Sequence, residues 1–136
     1  MYKLLTLLGV LLAVTGCSPK LSPDSYWGSQ RWTLVELREV PVQQSGGRAD
    51  AYLEFFPADK KFAGYGGCNR INGNYSLDKK NSIRFSEVVS TKMSCPDLAF
   101  ENAVLAALGE VNRYEIAENN MMLKHDDKIL LIYKQR

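Results

Sequence analysis

Gly64-Tyr65-Gly66-Gly67-Cys68-Asn69-Arg70-Ile71-Asn72-Gly73-Asn74-Tyr75 is the stretch on which the fold turns. Four glycines within ten residues imply positive φ, a bulge or a close approach of two backbones. Asn72-Gly73, taken alone, reads as a hairpin turn. A glycine-rich loop can also cradle phosphate. Here the spacing is neither G-x-G-x-x-G nor G-x-x-x-x-G-K-[ST], and a strand pattern follows rather than a helix, which argues against a nucleotide site. That pattern is Arg70 to Leu77, with Ile71, Tyr75 and Leu77 at period two.

Outward from this stretch, the same period recurs in short runs. Upstream lie Trp32 to Leu37, Tyr52 to Phe56 and Lys61 to Tyr65. The first is rich in aromatic and β-favouring residues, and the second alternates Leu53 and Phe55 against Tyr52, Glu54 and Phe56. Gln43 to Asp50 is a polar connection, and Pro57 to Lys60 is turn chemistry. Downstream, Ser82 to Phe85, Arg113 to Ile116, Met121 to Lys124 and Ile129 to Tyr133 read as strands joined by polar turns. One segment breaks the period. From Asp97 to Val111, apolar residues fall at Phe100, Val104, Ala107, Leu108 and Val111, the spacing of an amphipathic helix. Pro96 suits its first turn, and Asp97 and Glu101 suit the positive end of its dipole. The expected fold class is α+β: a single domain of about eight mostly antiparallel strands, curled into an incomplete barrel, with one helix (97–111) covering an opening.

Composition sets the outer limits. The chain has 136 residues, 17 Lys+Arg against 15 Asp+Glu, and 46% hydrophobic residues. That is ordinary globular composition for one domain. A net charge of +2 is too balanced for a nucleic-acid footprint, and no nucleic-acid partner is expected. One His and three Cys exclude the usual multi-ligand zinc sites, and no cofactor is expected.

The N-terminus reads as an address. Lys3 precedes Leu4 to Val14, an uncharged run of eleven residues. That is too short to span a bilayer and suits a signal-peptide core. Val14-Thr15-Gly16-Cys17 resembles the bacterial lipobox, which makes Cys17 the lipidation site; the alternative is an ordinary secretory signal. The expected division is a signal peptide (1–16), a lipidated Cys and tether (17–26), and a folded domain (27–136). By resemblance to known lipoproteins, Ser18 after the Cys favours the outer membrane, with the domain facing the periplasm and the lipid anchor as its membrane contact. Cys68 and Cys95 then remain as an even pair in an oxidising compartment, which favours a disulfide. Two buried thiols are the alternative; a redox pair lacks C-x-x-C spacing.

Taken in order, the landmarks resemble a known family. Trp32-x-Leu34 and Phe55 come first. Gly64, Gly66, Gly67, Cys68, Asn69, Gly73 and Tyr75 follow, then Ile83-x-Phe85, then Thr91, Met93 and Cys95. Glu101, Leu105, Leu108, Tyr114, Leu123 and Leu130 complete the pattern. This is similar to the META domain, also called the HslJ-like heat-shock domain, over nearly the whole mature chain. The resemblance implies a cracked β-barrel, an envelope lipoprotein, and a role in stress or novobiocin-type tolerance. It also implies likeness to a lipid-binding pilotin, and it brings no defining catalytic activity.

Residue chemistry agrees with a non-enzyme. His125 beside Asp126 and Asp127 could act as a base, but reads better as a solvated hairpin. Asp126-Asp127 lacks the ligand count of a calcium loop. Tyr26, Trp27, Trp32, Tyr52, Phe55, Phe56, Tyr65 and Tyr75 either fill the core or line a groove. Tyr26-Trp27 could pack the start of the first strand. The expected function is partner or apolar-ligand binding in the envelope, with a pilotin-like lipid carrier holding an internal cavity as the alternative.

Overall fold

The computed structural model describes residues 27–28, 30–45 and 50–136. The expected signal peptide (1–16) and the expected lipidated Cys17 and tether (17–26) lie outside these residues, as do 46–49 of the polar connection.

Among the described residues there are nine strands and one helix. The strands are β1 (Arg31–Leu37), β2 (Val40–Pro41), β3 (Tyr52–Phe56), β4 (Lys61–Tyr65), β5 (Arg70–Asp78), β6 (Ser82–Ser90), β7 (Arg113–Ala117), β8 (Asn120–His125) and β9 (Lys128–Gln135). The helix α1 (Leu98–Glu110) joins β6 to β7. All strands lie in one antiparallel sheet, ordered β2-β1-β3-β4-β5-β6-β7-β8-β9, and β9 returns to pair with β1. The ring is therefore closed in topology but weak at one seam: β6 meets β7 only at Ser82↔Arg113. Helix α1, the connection between the two strands of that seam, packs against β6 and β9.

The expected class holds, with three corrections. First, a ninth strand, β2, pairs with the end of β1 at Glu36↔Pro41 and Leu37↔Val40. Its tight turn places Arg38 (φ 49°) and Glu39 (φ 68°) in the left-handed region, without the Asn or Gly that usually marks such a turn. Second, β6 runs on to Ser90. Its pairing with β5 shifts register between Asn72 and Asn74, at a bulge where Glu87 has φ 51°. Third, Asn72-Gly73 is no turn. It lies inside β5, opposite Ala63 and Phe62. A Cβ on Gly73 would stand 2.8 Å from the Phe62 ring and 2.9 Å from the Ser86 carbonyl oxygen. That glycine serves close packing, not chain reversal.

The barrel interior is aromatic. Trp27 is fully buried and stands among Phe55 (ring centroids 4.6 Å), Tyr114 (4.9 Å) and Tyr75 (6.0 Å). Phe62 and Phe85 extend the cluster, 5.2 Å apart. Trp27 thus anchors the segment before β1 in the centre of the core, rather than packing the start of that strand. Of the other aromatics, Trp32, Phe55 and Tyr75 are buried, and Phe56 is exposed. Tyr52 and Tyr65 stack on each other at 6.5 Å, opposite one another across β3 and β4.

Tyr133 on β9 is buried, and burial pushes its phenol above the usual tyrosine range. The unfolded chain releases that proton near pH 10, while the folded chain holds it. Stability should therefore be lost as pH rises above about 10. Tyr133→Phe should flatten this alkaline limb in urea titrations between pH 8 and 11. An unchanged slope would assign the limb to other groups.

Candidate functional site

The glycine-rich stretch forms a buckle. Gly66 to Asn69 connects β4 to β5, and Glu101 of α1 reaches into it. Glu101 is 1% exposed. One carboxylate oxygen accepts the backbone N–H of Cys68 (3.0 Å) and of Asn69, and the other accepts the Asn69 side-chain amide (2.8 Å). Hydrogen bonds to a charged acceptor are stronger than neutral ones, and three converge here. The glycines make room. A Cβ on Gly66 would sit 2.8 Å from the Glu101 side chain, and one on Gly67 would sit 2.8 Å from the Phe100 ring. Gly67 also has φ 113°, where a side chain is strained.

Asn69 ties in a second segment. Its side-chain oxygen accepts Thr91 Oγ1–H (3.0 Å) and the Met93 N–H (2.7 Å), and its amide donates to the Met93 carbonyl (3.3 Å). Cys68 and Cys95 are joined by a disulfide, with Cα atoms 5.9 Å apart. Among the alternatives for that pair, the disulfide is the one present. The structure thus gathers Gly66, Gly67, Cys68, Asn69, Thr91, Met93 and Cys95 around Glu101. Gly64, Gly73 and Tyr75 lie apart in the strands. At Gly64 a Cβ would collide with the Tyr52 carbonyl oxygen at 2.1 Å.

Glu101 is the residue whose role the sequence did not disclose. It read as a charge placed for the helix dipole, yet its side chain points inward. The signal was there: Glu101 lies three residues before Val104 and seven before Leu108, on the buried stripe. Asp97, by contrast, is the N-cap residue and makes no side-chain capping bond.

Opening the disulfide removes a constraint on a 27-residue separation. Cys68→Ser should cost about 3–4 kcal/mol in the chain-entropy model. The Asn69 bonds remain, so the variant should still fold, with a lower melting temperature and one free thiol at Cys95. Both cysteines labelling as free thiols in the oxidised wild type would contradict the bridge.

Beside the buckle lies an open cleft of about 650 Å³. Leu37, Val40, Val42, Ala51 and Phe100 give it apolar lining, and Gln43, Ser45, Asp97 and the buried Asp50, which is held by Ser45 and Arg136, add polar groups. Leu37, Val42 and Phe100 also pack against the hydrophobic core. Arg38 closes the rim by donating to Glu110 at 2.6 Å, and this bond holds the Glu110 carboxyl below its usual range. The volume falls within the range of small-ligand sites, about 300–1,000 Å³.

The remaining candidates lie elsewhere. His125 ends β8, exposed, with Nδ1 2.7 Å from the Glu110 carbonyl oxygen and Nε2 3.8 Å from Asp126. Asp126 accepts from Asn112 (2.9 Å) and its N–H donates back to the Asn112 side-chain oxygen (2.8 Å), so it closes a hairpin onto the helix exit. No cluster of three or more His, Cys, Asp or Glu side chains suited to a metal occurs among the described residues.

Comparison with known proteins places this arrangement. No curated protein matches the chain. Among solved structures, an NMR structure of a protein from Burkholderia xenovorans superposes with TM-score 0.67 at 22% identity, covering 83% of this chain and 86% of that one. A second NMR structure superposes with TM-score 0.65 at 19% identity, covering 84% and 95%. The crystal structure of a DUF4847 family protein from Bacteroides vulgatus gives TM-score 0.61 at 16% identity, covering 82% and 95%. At these identities the likeness is one of fold. The model of the META domain matches residues 27–136, which include every strand, the helix and the buckle. The chain belongs to the META domain family.

Proposed function

We propose that the protein is a non-enzymatic, lipid-anchored module of the bacterial envelope whose cleft receives an apolar group from a ligand or partner. Outer-membrane anchoring through Cys17 and service in stress or antibiotic tolerance belong to the same proposal. The observation that carries it is the cleft itself. Its apolar lining reaches the core, and the family motif borders it through Gly67, which packs against Phe100. The motif thus spends its hydrogen bonds on holding a surface, not on presenting a nucleophile or base. A carrier with an internal cavity is the weaker reading, because rings in mutual contact occupy the interior where the lipid would lie.

The test is binding of N-phenyl-1-naphthylamine, a neutral fluorescent probe of apolar sites, to the purified domain. Saturable enhancement is expected, reduced at least tenfold in affinity by Leu37→Asp. An unchanged affinity in that variant, or no enhancement in the wild type, would reject the cleft as the binding site.

A further inference from the structure

The weakest joint of the ring carries unpaired positive charge. β6 and β7 pair only at Ser82↔Arg113, and an open groove of about 370 Å³ lies there. Ser76, Asp78, Ser82, Arg84, Asn112 and Arg113 line it. The register explains why these side chains meet. Asp78 stands opposite Ser82 across β5 and β6, and Ser76 stands opposite Arg84. Alternate positions of a strand share one face, so these four and Arg113 point outward while Ile83 is buried on the inner face. Arg84 and Arg113 are diagonal neighbours across the seam, a relation that sets residues about 7–8 Å apart, within reach of long side chains.

Neither arginine has a carboxylate partner. Among the described residues, Arg31 pairs with Glu54, Arg38 with Glu110 and Arg136 with Asp50, whereas Arg70, Arg84 and Arg113 make no ion pair. Arg70 lies at the opposite end of β5, and the other two share the groove. Lys79 and Lys80, exposed in the turn before Ser82, add two further ammonium groups without an ion pair. The acids nearby are engaged elsewhere. Asp78 accepts the Lys79 N–H at 2.7 Å, Asp126 accepts from Asn112, and Glu115 pairs with Lys124. A chain balanced overall thus concentrates uncompensated cations at one seam.

We infer that this groove binds a phosphate monoester, whose oxygens bridge Arg84 of β6 and Arg113 of β7. A carboxylate has two oxygens and matches one guanidinium fork. A phosphate monoester has three acceptor oxygens and about −1.5 to −2 charges at neutral pH, enough for both forks. The Ser82 hydroxyl between the two arginines supplies a further donor. The site is separate from the cleft and shares no lining residue with it. An anion held here ties β6 to β7 where the backbone gives a single bridge, so its binding should stabilise the fold.

The test titrates the purified protein with glycerol 3-phosphate at fixed ionic strength and follows the melting temperature. A saturable rise is expected. Arg84→Gln/Arg113→Gln should weaken the apparent Kd at least tenfold. Arg70→Gln removes the same charge from the other end of β5 and should leave it unchanged. Glycerate, the carboxylate analogue, should bind at least tenfold more weakly than the phosphate. In the 15N-labelled wild type, amide shifts should centre on Ser82, Arg84 and Arg113, a readout that stands even if the double variant fails to fold. Dihexanoyl phosphatidic acid separates the sources of the group. Binding at least tenfold tighter than glycerol 3-phosphate identifies a lipid headgroup, and equal binding identifies a soluble phosphate ester; either way the two arginines are required. No rise in melting temperature, an equal loss in Arg70→Gln, equal affinity for glycerate, or amide shifts centred elsewhere would each overturn the inference.

Discussion

Glu101→Ala should lower the melting temperature by about 12–20 °C, because it strips the acceptor from three donors in a water-poor site. The donors are the backbone N–H groups of Cys68 and Asn69 and the Asn69 side-chain amide. Each buried donor left unpaired costs about 1–3 kcal/mol. Relaxation of the loop recovers part of this, so about 3–5 kcal/mol is expected, at roughly 4 °C per kcal/mol for a domain of this size. That is a large share of a typical stability of about 5–15 kcal/mol. Glu101→Gln should cost less, since one oxygen remains to accept, although its amide nitrogen then meets donors. Amide exchange at Cys68 and Asn69 should rise in both variants, faster in Glu101→Ala. A loss below about 1 kcal/mol would mean that the buckle does not hold the helix to the sheet.

The second large effect is expected at Trp27. Its ring touches side chains from β3, β5 and β7, so its removal opens a void where three strands converge. Trp27→Ala should cost about 3–5 kcal/mol by urea unfolding. Trp27→Phe separates packing from hydrogen bonding. Among the described residues the indole Nε1–H has no hydrogen-bond partner, so phenylalanine gives up ring volume but no bond. Its cost should be less than half that of alanine. Equal costs would show that the indole edge, and not ring packing, secures the segment before β1.

Much of the fold was legible because one face of each strand is buried. In β3, β4 and the first half of β5, alternate residues point inward, and the period-two pattern gives their bounds within a residue. Helix α1 was legible for the same reason at the helical period. What escaped notice lacks a local cause. The two residues of β2 are too few to show a period, and the Arg38-Glu39 turn is imposed by pairing with β1 against ordinary residue preference. Asn72-Gly73 carries a true turn signal, overridden because the Phe62 ring needs the space. The second half of β6 was hidden by Ser86 and Glu87, where the bulge breaks alternation.

The site was legible as a list of residues and not as an arrangement. The motif glycines and Asn69 announced close approach, but not what approached. Glu101 supplies the answer from 32 residues away along the chain. The cleft had no sequence signature at all. Pairing of β1 with β2 and β3 gathers Leu37, Val42 and Ala51, and the Glu101 buckle brings Phe100 to them from the helix.

The central claim is that the motif end of the barrel, beside the Glu101 buckle, is the binding surface. Mapping of N-phenyl-1-naphthylamine onto the 15N-labelled domain by two-dimensional NMR tests it most directly. The account predicts amide shifts concentrated at Leu37, Val42, Ala51, Gly67 and Phe100, with the amides of Phe55, Tyr75 and Tyr114 unmoved. Shifts centred on those three core residues would contradict it and make the interior of the barrel the binding site.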